Sequence, residues 1–483
     1  MESLVSFVLD GKIVSPDFGS SPRLTPTTTV LNYLRGLPVH KGVKEGCAEG
    51  DCGACTVVVG ELGGDGRLRY RAVDSCLVLL PMLHGKQLIT VENLNGDRLH
   101  PVQVAMVETN GSQCGFCTPG FVMSLFSLYK NSNHPSREEI DDALTGNLCR
   151  CTGYKPIIQA AADSCVHEGI DLFTGEEPRV AGLLRSIRQE SIRLTTDEQV
   201  YFRPASTGEA ITLKHEHPDA ILICGATDVA LRVTKRHELL EEIIDLSGIE
   251  EMRSITDDGA SMRIGAGACL SDVMAAVQEY FPALGDMLAV FGSRQIRNLA
   301  TLGGNLGTAS PIGDTLPVLL AYGARIVVEG INGRRELPLD GYFTGYRKTQ
   351  RKPDELITSI ILPKQKNGAI VRAYKVSKRK DLDISTVSAG IRLELNSGKI
   401  SSLVLAYGGM AERVKRARSA EQNLLGKAWS RESVEQAMEL IDRDFTPLSD
   451  ARSGAEFRKL AARNLLLKFW SDTIAHHQLI EAQ

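Results

Sequence analysis

Eight of the eleven cysteines lie between residues 47 and 151, and this crowding limits what the chain can be more than any other feature. Cys47, Cys52 and Cys55 have the spacing C-x4-C-x2-C, with Cys76 further on. Cys114 and Cys117 form a C-x2-C pair that is joined much later by the C-x-C pair Cys149 and Cys151. Residues 1–10 hold Glu2 and Asp10, lack a basic leader segment and show no long apolar stretch, so a cytoplasmic chain is expected. No apolar run approaches the ~20 residues that cross a bilayer, which points away from a membrane protein. In a reducing compartment, closely spaced thiols signal metal or redox chemistry rather than a disulfide framework.

At 483 residues the chain is too long for one ordinary core. Its formal charge of -4 and charged fraction of 24% offer no basic excess for nucleic acid. The order of patterns divides it. Asp10-Gly11 suits the turn of an opening β-hairpin, and Thr27 to Thr29 can cap a helix whose apolar face is Val30, Leu31 and Leu34. The glycine-rich cysteine loop leads into a β-branched strand at 56–59, which turns through 63–66 toward a partner at 68–73. Hairpin, helix and hairpin predict a small sheet wrapped on one helix. From Pro101 the pattern becomes helical: Pro101, Pro119 and Pro156 each suit a helix start, and Ser136 with Glu139 forms a capping box. The second cysteine set then falls at turns between helices. Residues 167–196 carry charge without clear periodicity and are expected to be a linker. Beyond them, short strands and helices alternate to about residue 368, and the C-terminal stretch, strands first and helices from about Ser430, predicts an α+β domain.

The first set has the spacing of plant-type [2Fe-2S] ligation, in which four thiolates hold two irons. Zinc more often takes two short pairs than a triplet and a distant single ligand. The second set, taken alone, fits tetrahedral zinc as well as it fits two irons; beside the first set, a second one-electron centre gives a relay where zinc would have no redox use. Cys165, Cys224 and Cys269 fit small buried apolar positions, and His476-His477 fits a surface pair.

The stretches Glu45-Gly46-Cys47-Ala48-Glu49-Gly50-Asp51-Cys52-Gly53-Ala54-Cys55, Gln113-Cys114-Gly115-Phe116-Cys117-Thr118-Pro119-Gly120 and Gly146-Asn147-Leu148-Cys149-Arg150-Cys151-Thr152-Gly153-Tyr154 resemble the signatures of molybdenum hydroxylases. The resemblance implies that Cys47, Cys52, Cys55 and Cys76 hold one [2Fe-2S] cluster in a β-grasp ferredoxin-like domain. Cys114, Cys117, Cys149 and Cys151 would hold the other in a four-helix domain. It further implies that Gln113, and with it Cys151, touches a molybdopterin carried by a neighbouring subunit.

Neither G-x-G-x-x-G nor a Walker A loop occurs, so a Rossmann fold is not expected. Two loops, at 221–228 and 301–314, can cradle a diphosphate with backbone N–H groups and neutral side-chain donors, although glycine clusters of this kind also serve as ordinary turns. The same resemblance makes them FAD contacts, carried by Ile221, Leu222, Ile223, Cys224, Gly225, Ala226, Thr227, Asp228, Phe291, Thr301, Gly304, Asn305, Asp314, Ile357 and Lys375. Some animal members carry glutamate where Asp228 stands, which keeps the charge at a longer reach. The turn Lys378-Arg379-Lys380 fits a solvated basic loop that can also steer an anionic nicotinamide cofactor toward the flavin.

The expected fold is therefore multidomain α+β. It comprises a β-grasp [2Fe-2S] domain (1–90), a helical [2Fe-2S] domain (91–166), a linker (167–196), a mixed α/β FAD-binding domain of non-Rossmann type (197–368) and a C-terminal flavoprotein domain (369–483). The domain order fits the xanthine dehydrogenase branch of the family. The resemblance implies an electron-transfer subunit that takes electrons from a molybdenum site on a large partner subunit. They would pass through both clusters to FAD and NAD+, in a heterotetramer of two heterodimers, with no catalytic residue of its own. The alternative is the equivalent subunit of another molybdenum hydroxylase, for aldehydes, N-heterocycles or aromatic acyl thioesters, since substrate choice would reside on the partner; a zinc-binding scaffold is the remote alternative.

Overall fold

The computed structural model describes residues 4–18, 24–96, 98–166, 171–187, 189–365 and 368–481, with side chains to residue 474. The expected surface pair His476 and His477 lies outside the described side chains. The chain divides into two compact units, Met1–Glu250 with Gly292–Ala300 and Glu251–Phe291 with Thr301–Gln483. Among the described residues no helix is long and apolar enough to cross a membrane.

In the first unit the opening hairpin is β1 (Phe7–Leu9) and β2 (Lys12–Val14), paired antiparallel. Asp10 and Gly11 both take the left-handed conformation, φ 52° and 68°, that the tight turn demands. Helix α1 (Val30–Gly36) starts at Thr29, whose hydroxyl oxygen accepts from the Asn32 amide. Strands β3 (Thr56–Leu62), β4 (Leu68–Asp74) and β5 (Gln87–Ile89) complete a five-stranded sheet of order β2-β1-β5-β3-β4, in which β1 and β5 run parallel. The sheet is buried on both faces, which explains the unbroken apolar run in β3. Val57 and Val59 join α1 and Phe7 in one core, while Val58 points the other way, to the core shared with the helices that follow.

Those helices are α2 (Pro101–Glu108), α3 (Thr118–Asn131), α4 (Arg137–Leu144) and α5 (Lys155–Ser164). Phe121, Leu125 and Phe126 of α3 fill the space between sheet and helices. The Ser136–Glu139 capping box is present at the start of α4. The stretch expected as a linker contains a fifteen-residue helix, α6 (Leu172–Ser186), followed by β6 (Ile192–Thr195). Phe173, Val180 and Leu184 bury one side of α6 against the helical core. Asp171 fixes its start by accepting from the Thr174 amide and by pairing with Lys130 at 2.9 Å and His100 at 3.3 Å. Strands β6, β7 (Val200–Arg203), β8 (Ile221–Ile223) and β9 (Glu242–Asp245), with α7 (Thr207–Glu216) and α8 (Ala230–Thr234), form a second sheet of order β6-β7-β9-β8. Its β7, β9 and β8 run parallel.

The second unit opens with β10 (Ile255–Asp257), β11 (Ser261–Gly265), α9 (Leu270–Val277) and α10 (Pro282–Ala289). The chain next supplies α11 (Arg294–Arg297) to the first unit. Helices α12 (Leu302–Thr308) and α13 (Thr315–Tyr322) follow, then β12 (Arg325–Gly330), β13 (Gly333–Pro338), the short ribbon β14 (Phe343–Gly345) and β15 (Lys348–Thr349), and β16 (Leu356–Pro363). The order β10-β11-β16-β12-β13 is antiparallel throughout. A four-stranded antiparallel sheet, β17 (Ile370–Val376), β18 (Val387–Asn396), β19 (Lys399–Gly408) and β20 (Lys415–Arg416), carries α14 (Arg418–Leu424), α15 (Arg431–Asp444) and α16 (Ala455–Glu481). Alternate residues Val387, Ala389, Ile391 and Leu393 of β18 face the core that these helices complete.

Candidate functional site

The first cysteine set sits on a loop between α1 and β3 and on the turn after β4, so the two antiparallel strands carry its ends toward each other. Cys55 and Cys76 are buried, Cys47 and Cys52 half-buried. Cys47 is in hydrogen-bonding contact with Cys52 and with Cys76, and Cys55 with Cys76. Cys47 Sγ also accepts from the amides of Glu49 at 3.4 Å and Asp51 at 3.3 Å, so the loop backbone already points N–H groups at sulfur.

Sharing protons in this way splits the thiols. Hydrogen bonds from Cys52 and then Cys76 hold Cys47 well below the ordinary thiol range, and Cys76 does the same for Cys55. Cys52 and Cys76 are pushed far up by those same contacts and by burial. Beside them burial drives Asp74 well above the usual carboxylate range, and the neighbouring Cys55 and Cys47 add to the shift. Four thiols so close cannot all ionise unless a cation shares the space. The donor set thus fits a positively charged iron centre. Among the described residues no three such groups converge on one ion position, whereas a two-iron cluster needs its sulfurs only in pairs.

The second set lies at helix ends. Cys114 precedes α3, Cys117 is its N-cap, and Cys149 and Cys151 lie between α4 and α5. Cys117 is in contact with Cys149, and Cys114 with Cys151, which gives two pairs where the first set forms a chain of three contacts. Burial pushes Cys117 up to about 12. Burial also pushes Cys149 upward, but the Thr152 hydroxyl and amide and the Cys151 amide outweigh it and hold that thiol below its usual range. Tyr154, at φ 67°, turns its hydroxyl back to accept from the Cys149 amide at 3.0 Å. Cys114 and Cys151 are exposed, as are Gln113, Phe116 and Leu148 around them.

The two loops touch through backbone. The Leu148 amide donates to the Cys52 carbonyl at 3.0 Å, which links a residue adjoining Cys149 to a member of the first set. Asn147 donates from Nδ2 to the Gly53 carbonyl at 3.0 Å. Gly53 stands at φ 66°, and a Cβ there would meet the Gly146 carbonyl at 2.2 Å. No other residue type permits that approach.

The loop at 221–228 occupies the carboxyl end of parallel strand β8, where open α/β sheets receive ligands. Ile223, Gly225 and Ala226 are buried; Ile221, Leu222, Cys224 and Thr227 are half-buried; Asp228 is exposed. Cys165 is buried as expected, whereas Cys224 and Cys269 keep partial exposure.

In the second unit, Thr301 caps α12 by accepting from the Gly304 amide at 3.0 Å, and Gly304 and Gly307 present a bare, exposed helix face. Asn305 accepts from the Thr315 hydroxyl at 2.6 Å. Asp314 accepts from Lys375 Nζ at 2.9 Å and from the Ser385 hydroxyl at 2.6 Å. Lys375 also donates to the carbonyl of Val290, the residue before Phe291. Val290 and Lys375 line a cavity of about 480 Å³ with Asp286, Tyr374, Arg379 and Lys380. Phe291 itself is half-buried and Ile357 buried. The expected residues Asp314 and Lys375 are therefore committed to each other, a pairing between positions too far apart in the chain for local pattern to reveal. The bare glycine face of α12 leaves backbone open to an anionic group, and the cavity offers room and Lys380 to a partly apolar one, with Lys375 there paired to Asp314 and Arg379 to Asp383; each suits part of a flavin nucleotide.

Three domain families match the chain: the [2Fe-2S] binding domain over residues 90–162, the FAD binding domain in molybdopterin dehydrogenase over 193–365, and the CO dehydrogenase flavoprotein C-terminal domain over 372–473. The xanthine dehydrogenase of Emericella nidulans is 33% identical across 98% of this chain and 39% of its own length. The xanthine dehydrogenase/oxidase of Rattus norvegicus is 32% identical across 97% and 39%. The chain thus spans about two-fifths of the length of these curated relatives. Among solved structures, a carbon monoxide dehydrogenase from Hydrogenophaga pseudoflava that lacks the Mo-pyranopterin moiety of the molybdenum cofactor is 29% identical, with TM-score 0.53 over 55% of this chain and 93% of its own. Quinoline 2-oxidoreductase from Pseudomonas putida 86, 23% identical with TM-score 0.52 over 56% and 96%, shares the fold.

Proposed function

Because the chain belongs to the molybdenum hydroxylase family, as one of its [2Fe-2S] and flavin chains, we propose that it is the electron-transfer subunit of a xanthine dehydrogenase. It would carry electrons from xanthine and hypoxanthine hydroxylation at a partner-chain molybdopterin site through two [2Fe-2S] clusters to FAD and NAD+. The observation that carries this reading is the pair of four-thiol sites bridged by backbone, on a chain matched along 98% of its length by a xanthine dehydrogenase.

The clusters, when bound, supply one-electron centres, and FAD supplies the junction between one-electron and hydride chemistry. Cys47, Cys52, Cys55 and Cys76 would hold the first, and Cys114, Cys117, Cys149 and Cys151 the second. The glycine loop at 301–314 would hold FAD, with Phe291 beside the ring and Lys375 fixed by Asp314. The exposed Gln113, Cys114, Phe116, Leu148 and Cys151 present the second site outward, as docking onto a large molybdopterin-binding subunit requires. Lys380 lines the cavity beside Arg379, which is paired with Asp383, and its charge would suit an anionic nicotinamide cofactor.

Co-expression with the molybdenum subunit, followed by an assay of NADH from xanthine, tests the substrate and acceptor together. Purine-dependent NADH formation is expected; its absence with all cofactors loaded overturns the substrate assignment. The likeness to a carbon monoxide dehydrogenase favours a second reading, the same relay serving another molybdenum hydroxylase. Turnover of an aldehyde, an N-heterocycle or an aromatic acyl thioester in place of xanthine would establish it.

A further inference from the structure

Ser124, Asn147 and Gln295 form a polar knot inside the first unit. They come from α3, from the loop before Cys149 and from α11, the last of them about 150 residues further along the chain. Ser124 donates to Asn147 Oδ1 at 2.6 Å, and Gln295 Nε2 donates to Ser124 Oγ and to Asn147 Oδ1, both at 2.9 Å. With its acceptor side filled in this way, Asn147 is oriented so that Nδ2 faces the first loop, where it donates to the Gly53 carbonyl and, at 3.2 Å, to the Thr56 hydroxyl. Gln295 is fully buried and Asn147 nearly so. Gly146 leaves room for the glutamine, since a Cβ there would stand 2.1 Å from Gln295 Oε1. That oxygen has no hydrogen-bond partner among the described residues, so the amide is buried at the cost of one unpaired acceptor. Packing alone would favour leucine or methionine at such a place.

We propose that Gln295 is a positioning residue for electron transfer: by fixing the Asn147 amide it holds the two cysteine loops in the register that keeps the Leu148 N–H on the Cys52 carbonyl, the hydrogen-bonded contact between the two sites. The inference rests on the relay reading above. The step it serves moves one electron from the second site to the first, with no bond made or broken and no proton transferred. Its rate depends on the separation of the sites and on the continuity of that contact.

The test uses the full chain with iron and FAD loaded, comparing wild type with Gln295→Leu. Both [2Fe-2S] signals are recorded by electron paramagnetic resonance, with their magnetic interaction at full reduction and their rate of equilibration after rapid partial reduction. The variant is expected to keep its iron, its FAD and each separate signal. The interaction should weaken and equilibration should slow by about tenfold, in keeping with the steep dependence of rate on ångström-scale placement. A purely space-filling role would lower the melting temperature and leave interaction and equilibration unchanged, and that result overturns the proposal. If Gln295→Leu does not fold, Ser124→Ala removes one hydroxyl from the same knot and is expected to shift both readouts the same way by less; a loaded Ser124→Ala chain with both unchanged is equally contrary. Absence of two [2Fe-2S] signals from the wild type would instead overturn the relay reading itself.

Discussion

The two cysteine sites have the same number of sulfurs and opposite surroundings. The first is built on the ends of β-strands, with Cys55 and Cys76 buried in the sheet's core; the second is built on helix ends, with Cys114 and Cys151 open to solvent. Strand ends fix sulfurs through a ladder of backbone bonds, whereas helix ends depend on caps and on the packing of each helix. A buried site is insulated and tied to the stability of its domain. An exposed one can be covered by another molecule and can be lost without unfolding its host.

Substitution at the two sites should expose this difference most strongly. Cys55→Ala is expected to remove about two of the four irons and to lower the melting temperature markedly, because the thiol lies inside the core. Cys151→Ala should remove as much iron with a much smaller thermal shift, as metal analysis and calorimetry on both variants would reveal. Equal thermal shifts would break the contrast.

The helices that present the second site depend on Asp171, which burial would push up but which hydrogen bonds from His100, then Thr174, then Lys130 hold well below the usual carboxylate range. Asp171→Ala leaves Lys130 buried beside an uncapped α6, and a loss of about 3 kcal/mol is expected in urea unfolding. The sign with pH follows from the lowered value. The contribution is complete above the unfolded carboxylate range of about pH 4 and is lost only as pH falls further, through the folded value. Acid titration of the wild type should therefore preserve the helical domain to below about pH 4, while Asp171→Ala loses this pH dependence. Chelation supplies a third contrast: the second-site signal should disappear before the first when an iron chelator is added under mild conditions. Smallest of all, Ser136→Ala removes the α4 capping box and should cost about 1 kcal/mol, with any loss of iron confined to the second site.

Features set by neighbouring residues were legible in the sequence. Asp10-Gly11, the Thr29 cap, the Ser136–Glu139 box and the proline helix starts each require only a few consecutive residues, and the cysteine spacings also announce themselves locally. Helix α6 escaped because Pro178 and two glycines interrupt it, and its apolar contacts Phe173, Val180 and Leu184 are too sparse to mark a face without the partner core. Long-range pairings carried no local signal. Gln295 looks like any helical glutamine until α11 is placed against the cysteine loops, and Asp314 finds Lys375 only through the fold. The resemblance implies that Asp314 and Lys375 are flavin contacts, and the structure adds that they form one buried ion pair whose lysine also donates to the Val290 carbonyl.

The relay itself is tested most directly by an anaerobic reductive titration of the purified chain, followed by absorbance and electron paramagnetic resonance. The account predicts uptake of about four electrons per chain, one for each of two distinct [2Fe-2S] signals and two for FAD. A colourless chain that binds zinc and takes up no electrons would contradict it.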